Sequence, residues 1–123
     1  MKKIFLALMI ILFAVSTYAA TINITFIWDK NTESDLAGYN LYQSNISSDY
    51  SSDPSAIIMG DTNQYTYQTE MESGIPSYFV LTAFDMSGNE SDYSNEVPHT
   101  IYIDSNAPAE PMIFNIKNYV IIQ

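Results

Sequence analysis

One histidine, His99, and not a single cysteine limit the chemistry open to this chain of 123 residues. A nucleophilic triad would need His99 beside a serine and a carboxylate. Instead it follows Pro98 in a run of strand character, where a lone histidine is structural or solvated. The carboxylates are scattered over polar stretches, and none stands in an apolar setting that would raise its pKa towards general-acid duty. The segment DMSGNESD gathers Asp85, Ser87, Asn89, Glu90 and Asp92, oxygen donors of the kind calcium prefers. Its spacing lacks the twelve-residue loop closed by a bidentate Glu, and Gly88 with Asn89 more simply supplies the positive φ of a hairpin turn. No catalytic residue, metal ligand or cofactor is therefore predicted. Tyrosine is the remaining signal, with ten in the chain. Tyr42, Tyr50, Tyr78, Tyr93 and Tyr102 fall at outward strand positions or in loops, where rings give contact area at low entropic cost. Strands also favour tyrosine without any ligand. Tyr42, Tyr50 and Tyr93 are the candidate ligand-binding residues, for a protein or a glycan.

The elements that would hold these groups are strands. Thr21 to Trp28 alternates Ile22, Ile24, Phe26 and Trp28 against Thr21, Asn23, Thr25 and Ile27, the period of a half-buried strand. Asn31 to Gly38 is dense in turn formers, and Asn31, Thr32, Ser34 and Asp35 are expected to satisfy backbone donors there with their own side chains. Tyr39 to Gln43 alternates again. After the polar loop Asn45–Pro54 come Ala56–Met59, ended by Gly60, and Gln64–Gln68. The chain turns at Gly74 and Pro76, runs Ser77–Asp85 as the strongest strand, and finishes on Tyr93–Ile103, where Pro98 argues for a sheet edge or a bulge. Strands every 8 to 15 residues, roughly, with turn clusters between them, predict an all-β sandwich.

The order of these motifs resembles the fibronectin type III domain, in its short exported bacterial or phage forms. The resemblance rests on KNTESDLAGY, Lys30–Tyr39, after a strand ending in Trp28, and on TAFDMSGNES, Thr82–Ser91, followed by SNEV, Ser94–Val97. It covers about Ile22 to Thr100. It implies an immunoglobulin-like sandwich in which Trp28 ends strand B and packs with Tyr39, Leu41, Phe79 and Leu81 as the structural core, and in which Asp85–Asp92 is the F–G hairpin. Two departures from the family stand out. Its corner tyrosine is replaced by Ser77, with Met71 where a leucine would be, so the tie from that strand to the preceding loop is expected to be lost or weakened. Strand A is missing from its place ahead of strand B.

Lys2 and Lys3, twelve apolar residues from Ile4 to Val15, and Thr17-Tyr18-Ala19-Ala20 make residues 1–20 a signal peptide. The protein is accordingly expected to be exported to the periplasm, the cell surface or the medium, with no membrane contact after cleavage. Residues 21–103 form the domain. The mature chain keeps two lysines, Lys30 and Lys117, against 14 Asp and Glu, a formal charge of −12. So acidic a surface repels phosphate backbones and excludes nucleic acid as a partner. Residues 104–123 read as a proline-containing linker and a strand, with Met112, Phe114 and Ile116 alternating against Ile113, Asn115 and Lys117. This strand could replace strand A within the same sandwich, or add to strand B of another copy through Met112–Ile116. In the type III arrangement the cis route is taut: about 30–40 Å between poles against at most ~36 Å of extended chain from Ile101 to Pro111. The function implied is that of a non-catalytic binding or scaffold module, the alternative being a structural subunit assembled by strand addition.

Overall fold

The computed structural model describes residues 17–109. Six strands and no helix occur among them: β1 Ala19–Ile27, β2 Leu36–Ser44, β3 Ala56–Met59, β4 Gln64–Glu72, β5 Ser77–Asp85 and β6 Val97–His99. They form two antiparallel sheets, β1–β4 and β3–β2–β5–β6. The sheets face one another as a sandwich.

Period-two alternation places the core. Tyr39, Leu41, Ile58 and Phe79 are buried at its centre, with Ile24, Phe26, Trp28, Leu36 and Leu81 packed around them. Leu41 and Phe79 each contribute about 1.5–3 kcal/mol by leaving water. The Phe26 and Phe79 rings meet across the sheets at 5.0 Å, and Trp28 stands edge-on to Tyr39 at 5.0 Å. β1 keeps strict alternation yet has no fully buried residue, because a sheet of two strands does not span the sheet of four it covers.

Several boundaries differ from the sequence reading; β1 runs Ala19–Ile27 rather than Thr21–Trp28. β2 begins at Leu36, inside the stretch read as a turn, with a bulge between Leu36 and Gly38. Gly38 serves close approach rather than turning: a Cβ there would lie 2.3 Å from the Ile58 carbonyl oxygen and 2.9 Å from the Phe84 ring. β4 continues four residues past Gln68 and buries Met71. The final strand keeps ladder pairing only over Val97–His99. Ahead of it the segment from Glu90 to Asn95 follows β5 irregularly, its seryl side chains standing in for rungs. The Ala83 N–H donates to Ser91 Oγ (2.9 Å) and the Leu81 N–H to Ser94 Oγ (3.0 Å). Pro98 sits on the outermost strand of its sheet, where a missing N–H costs no ladder bond.

Ser77 bonds to segments other than the loop that precedes it. It is buried, donates to Asn45 Oδ1 (3.1 Å), and accepts from Gln43 Nε2 (3.2 Å), while Gln43 Oε1 accepts from Thr69 Oγ1 (2.9 Å). Four side chains thus join the loop after β2 to β5, β2 and, across the sandwich, β4. The signal-peptide reading falls outside the described residues up to position 16. Ala19 and Ala20 lie within β1 opposite Glu72 and Met71, so cleavage after Ala20 removes two rungs. Asp104–Ala109 is irregular and exposed, and Met112–Ile116 lies outside the described residues.

Candidate functional site

The three candidate tyrosines come from a strand, a loop and an irregular edge segment, and the fold brings them together. Tyr42 leaves β2 on the face opposite the core, Tyr50 comes from the loop after β2, and Tyr93 from the segment following β5. The Tyr42 and Tyr93 rings are T-shaped at 5.4 Å, and the Tyr50 and Tyr93 rings are tilted at 5.4 Å. Edge-to-face pairs of this kind add about 0.5–1.5 kcal/mol each beyond burial. Tyr42 is not outward and free, as its strand position suggested: it is 4% exposed, covered by the segment that folds back along β5. Tyr93 is 51% exposed and is the ring presented to solvent. Tyr102, 83% exposed, follows β6 near the exit of the chain.

Two carboxylates hold the cluster. Glu90 Oε1 accepts from Tyr42 Oη (2.5 Å), Asn40 Nδ2 (3.0 Å) and Thr82 Oγ1. Glu96 accepts from Ser47 Oγ (2.6 Å), the Ser48 N–H (2.8 Å) and the Tyr50 hydroxyl. Hydrogen bonds stabilise the ionised form, so both carboxyls are held below the usual carboxylate range, Glu90 chiefly by Thr82 and Glu96 chiefly by Ser47. The phenols move the other way. Burial first, and then the adjacent Glu90, pushes Tyr42 up to about 12, and burial with Glu96 raises Tyr50 as well. Glu90 and Glu96 are the residues sequence reasoning missed. In polar loops they look like plain solvating charges, and nothing in their spacing marks them as acceptors for tyrosines some 50 positions away.

The other candidates are consumed locally. Asp85 Oδ1 accepts the N–H groups of Ser87 (2.9 Å) and Asn89 (2.8 Å), and Oδ2 accepts from Asn89 Nδ2 (2.8 Å). The Asn89 side chain and backbone hold the Asp85 carboxyl below its ordinary range, and Gly88 turns the loop at φ 85°. Among the described residues no group of three or more His, Cys, Asp or Glu is placed to hold a metal ion. His99 lies on the exposed edge strand β6. At the corner after β1 the Asn31 N–H donates to the Tyr39 hydroxyl (3.1 Å), so a core tyrosine meets a donor that local Asn and Ser side chains were expected to meet. Trp28 Nε1 is buried without a partner.

A second feature is an open cleft of about 600 Å³ between the end of β1 and β5–β6, lined among others by Phe26, Trp28, Leu41, Phe79, Leu81 and Val97. It adjoins the outer edge of β1, which pairs with no strand among the described residues. No protein-family model matches the chain, and no curated protein or solved structure matches it.

Proposed function

We propose that this chain is an exported, non-catalytic sandwich of the fibronectin type III kind that acts as a binding or scaffold module. The strand order supports the type III reading: β1 and β4 form one sheet and β3–β2–β5–β6 the other, as expected of such a domain without strand A. The observation that carries the binding role is the Tyr93 ring, exposed and braced by Tyr42 and Tyr50. A ring whose neighbours are already ordered loses little freedom on contact, and so suits a protein or sugar surface. The electrostatics favour contact over catalysis. Glu90 and Glu96 are held ionised, the reverse of what a general acid at neutral pH requires.

The test is retention on protein and glycan arrays by the parent and by Tyr93→Ala. Loss of all retained ligands in the variant, still folded by circular dichroism though less stable for want of two ring contacts, is the expected result. Equal retention by both proteins, or no retained ligand at all, overturns the reading. The second reading, a structural subunit assembled by C-terminal strand addition, is favoured by the outer edge of β1, which pairs with no strand among the described residues.

A further inference from the structure

We propose that the tyrosine cluster is a docking point for the arginine side chains of a basic protein segment, with one guanidinium lying on the Tyr93 ring and Glu90 and Glu96 answering the neighbouring cations. The inference rests on the binding reading above and names its partner. The cluster runs as a chain of contacts. Glu96 bonds to Tyr50, the Tyr50 and Tyr42 rings each stand 5.4 Å from that of Tyr93, and Tyr42 bonds to Glu90. The exposed ring is thus set between two carboxylates, each one tyrosine away.

What the cluster leaves open selects the partner. A sugar is held by a ring together with polar side chains placed to bond its hydroxyls. Here Asn40, Thr82, Ser47 and the Tyr42 and Tyr50 hydroxyls already donate to the two glutamates. All three bonds to Glu90 fall on Oε1, and among the described residues Oε2 takes none, so an oriented acceptor remains. Both carboxyls are held ionised, and Asp92 precedes Tyr93. Lys30, already paired with Asp61, is the one lysine among the described residues, and the chain has no arginine. An aromatic surface ringed by negative charge is the complement of a cation. Arginine suits it better than lysine, because the planar guanidinium is weakly hydrated, stacks on a ring and bonds a carboxylate through its fork. In an extended segment alternate side chains lie about 7 Å apart on one side, so one arginine can meet the ring while its neighbours turn towards the glutamates.

The purified protein is titrated at physiological salt with three octapeptides that alternate glycine with arginine, lysine or glutamine, followed by fluorescence and by amide chemical shifts. The arginine peptide binds, the lysine peptide binds more weakly and the glutamine peptide does not, and the shifts concentrate at Asn40, Tyr42, Tyr50 and Glu90–Glu96. Tyr93→Ala, at unchanged charge, weakens the arginine peptide about two- to fivefold, and Tyr93→Phe does not. Glu96→Gln weakens it more than Glu70→Gln, which removes an exposed charge from β4 on the other sheet. No binding, equal binding of the arginine and glutamine peptides, shifts spread evenly over the acidic surface, full affinity in Tyr93→Ala, or equal losses in the two glutamate variants each overturn the proposal. A glycan or uncharged protein retained on arrays through Tyr93 overturns it too, while leaving the binding reading in place. The shifts are read on the parent alone, so a variant that fails to fold does not spoil the test.

Discussion

At the scale of single residues, hydrogen bonding separates Tyr42 and Tyr50, which hold the fold, from Tyr93, which faces out. Tyr42 and Tyr50 donate to carboxylates that are ionised at neutral pH, and their folded pKa values lie above the unfolded value near 10. Their contribution to stability is therefore complete below pH 10 and is lost as pH rises through about 12 for Tyr42. A spectrophotometric phenolate titration will show Tyr42 and Tyr50 ionising late, and Tyr42→Phe will remove its share of that late phase. Glu90 and Glu96 carry the opposite sign. Their folded pKa values lie below the ordinary 4.5, so their contribution is present above that pH and disappears as pH falls through the depressed values. In Glu90→Gln the loss of melting temperature between pH 6 and pH 3 will be shallower than in the parent, by circular dichroism. Gly38 is as constrained as any side chain. With Ile58 O 2.3 Å from where a Cβ would sit, Gly38→Ala will force β2 and β3 apart and cost ~1–3 kcal/mol in urea denaturation.

At the scale of elements, the strands legible in the sequence were those whose alternation is bounded by turn residues that really turn. Ala56–Met59 ends at Gly60, which has φ 90°, and Ser77–Asp85 runs into the Gly88 turn. Composition misled where a residue type serves another end. Leu36-Ala37-Gly38 reads as turn material, but Gly38 is there for close approach to β3. Thr69–Glu72 looks too polar for a strand, yet its outward residues line one face of a two-stranded sheet while Met71 goes inward. The last strand is shorter than its periodicity suggests because Ser91 and Ser94 mimic ladder acceptors from outside the ladder. The candidate site was legible only in part. Three rings could be singled out by type, but their meeting depends on a segment folding back along β5, and their carboxylate partners on side-chain geometry. The tie at Ser77 was equally hidden, since it joins positions 43, 45, 69 and 77. Gln43 is its hub, bonded to Thr69 on one sheet and Ser77 on the other. Gln43→Ala will take one bond from each hydroxyl, leaving Ser77 its Asn45 partner, and cost about 1 kcal/mol, whereas Thr25→Ala, which breaks only an exposed Thr25–Thr66 contact, will cost little by the same urea titration.

At the scale of the whole molecule, charge opposes the fold. The chain carries 14 acidic residues against four basic ones, and Lys30–Asp61, 3.4 Å apart and solvent-exposed, is the one salt bridge among the described residues. Added salt acts on two opposed quantities. It weakens that pair, worth at most about 1 kcal/mol at the surface, and it relaxes repulsion among many carboxylates crowded onto a small body. Repulsion is the larger, because each unpaired carboxylate has several like neighbours within the ~30 Å Debye length of dilute buffer and few within the ~8 Å of physiological salt. The unfolded chain holds the same charges farther apart and gains less from screening. Raising ionic strength at pH 7 will therefore raise the melting temperature, by some 4–8 °C for each kcal/mol of repulsion relieved in a domain of this size. Lys30→Gln separates the two contributions. If repulsion dominates, the variant rises with salt as steeply as the parent in a calorimetric series. A parent that loses stability with salt, and a variant that does not, would place the weight on the single ion pair instead.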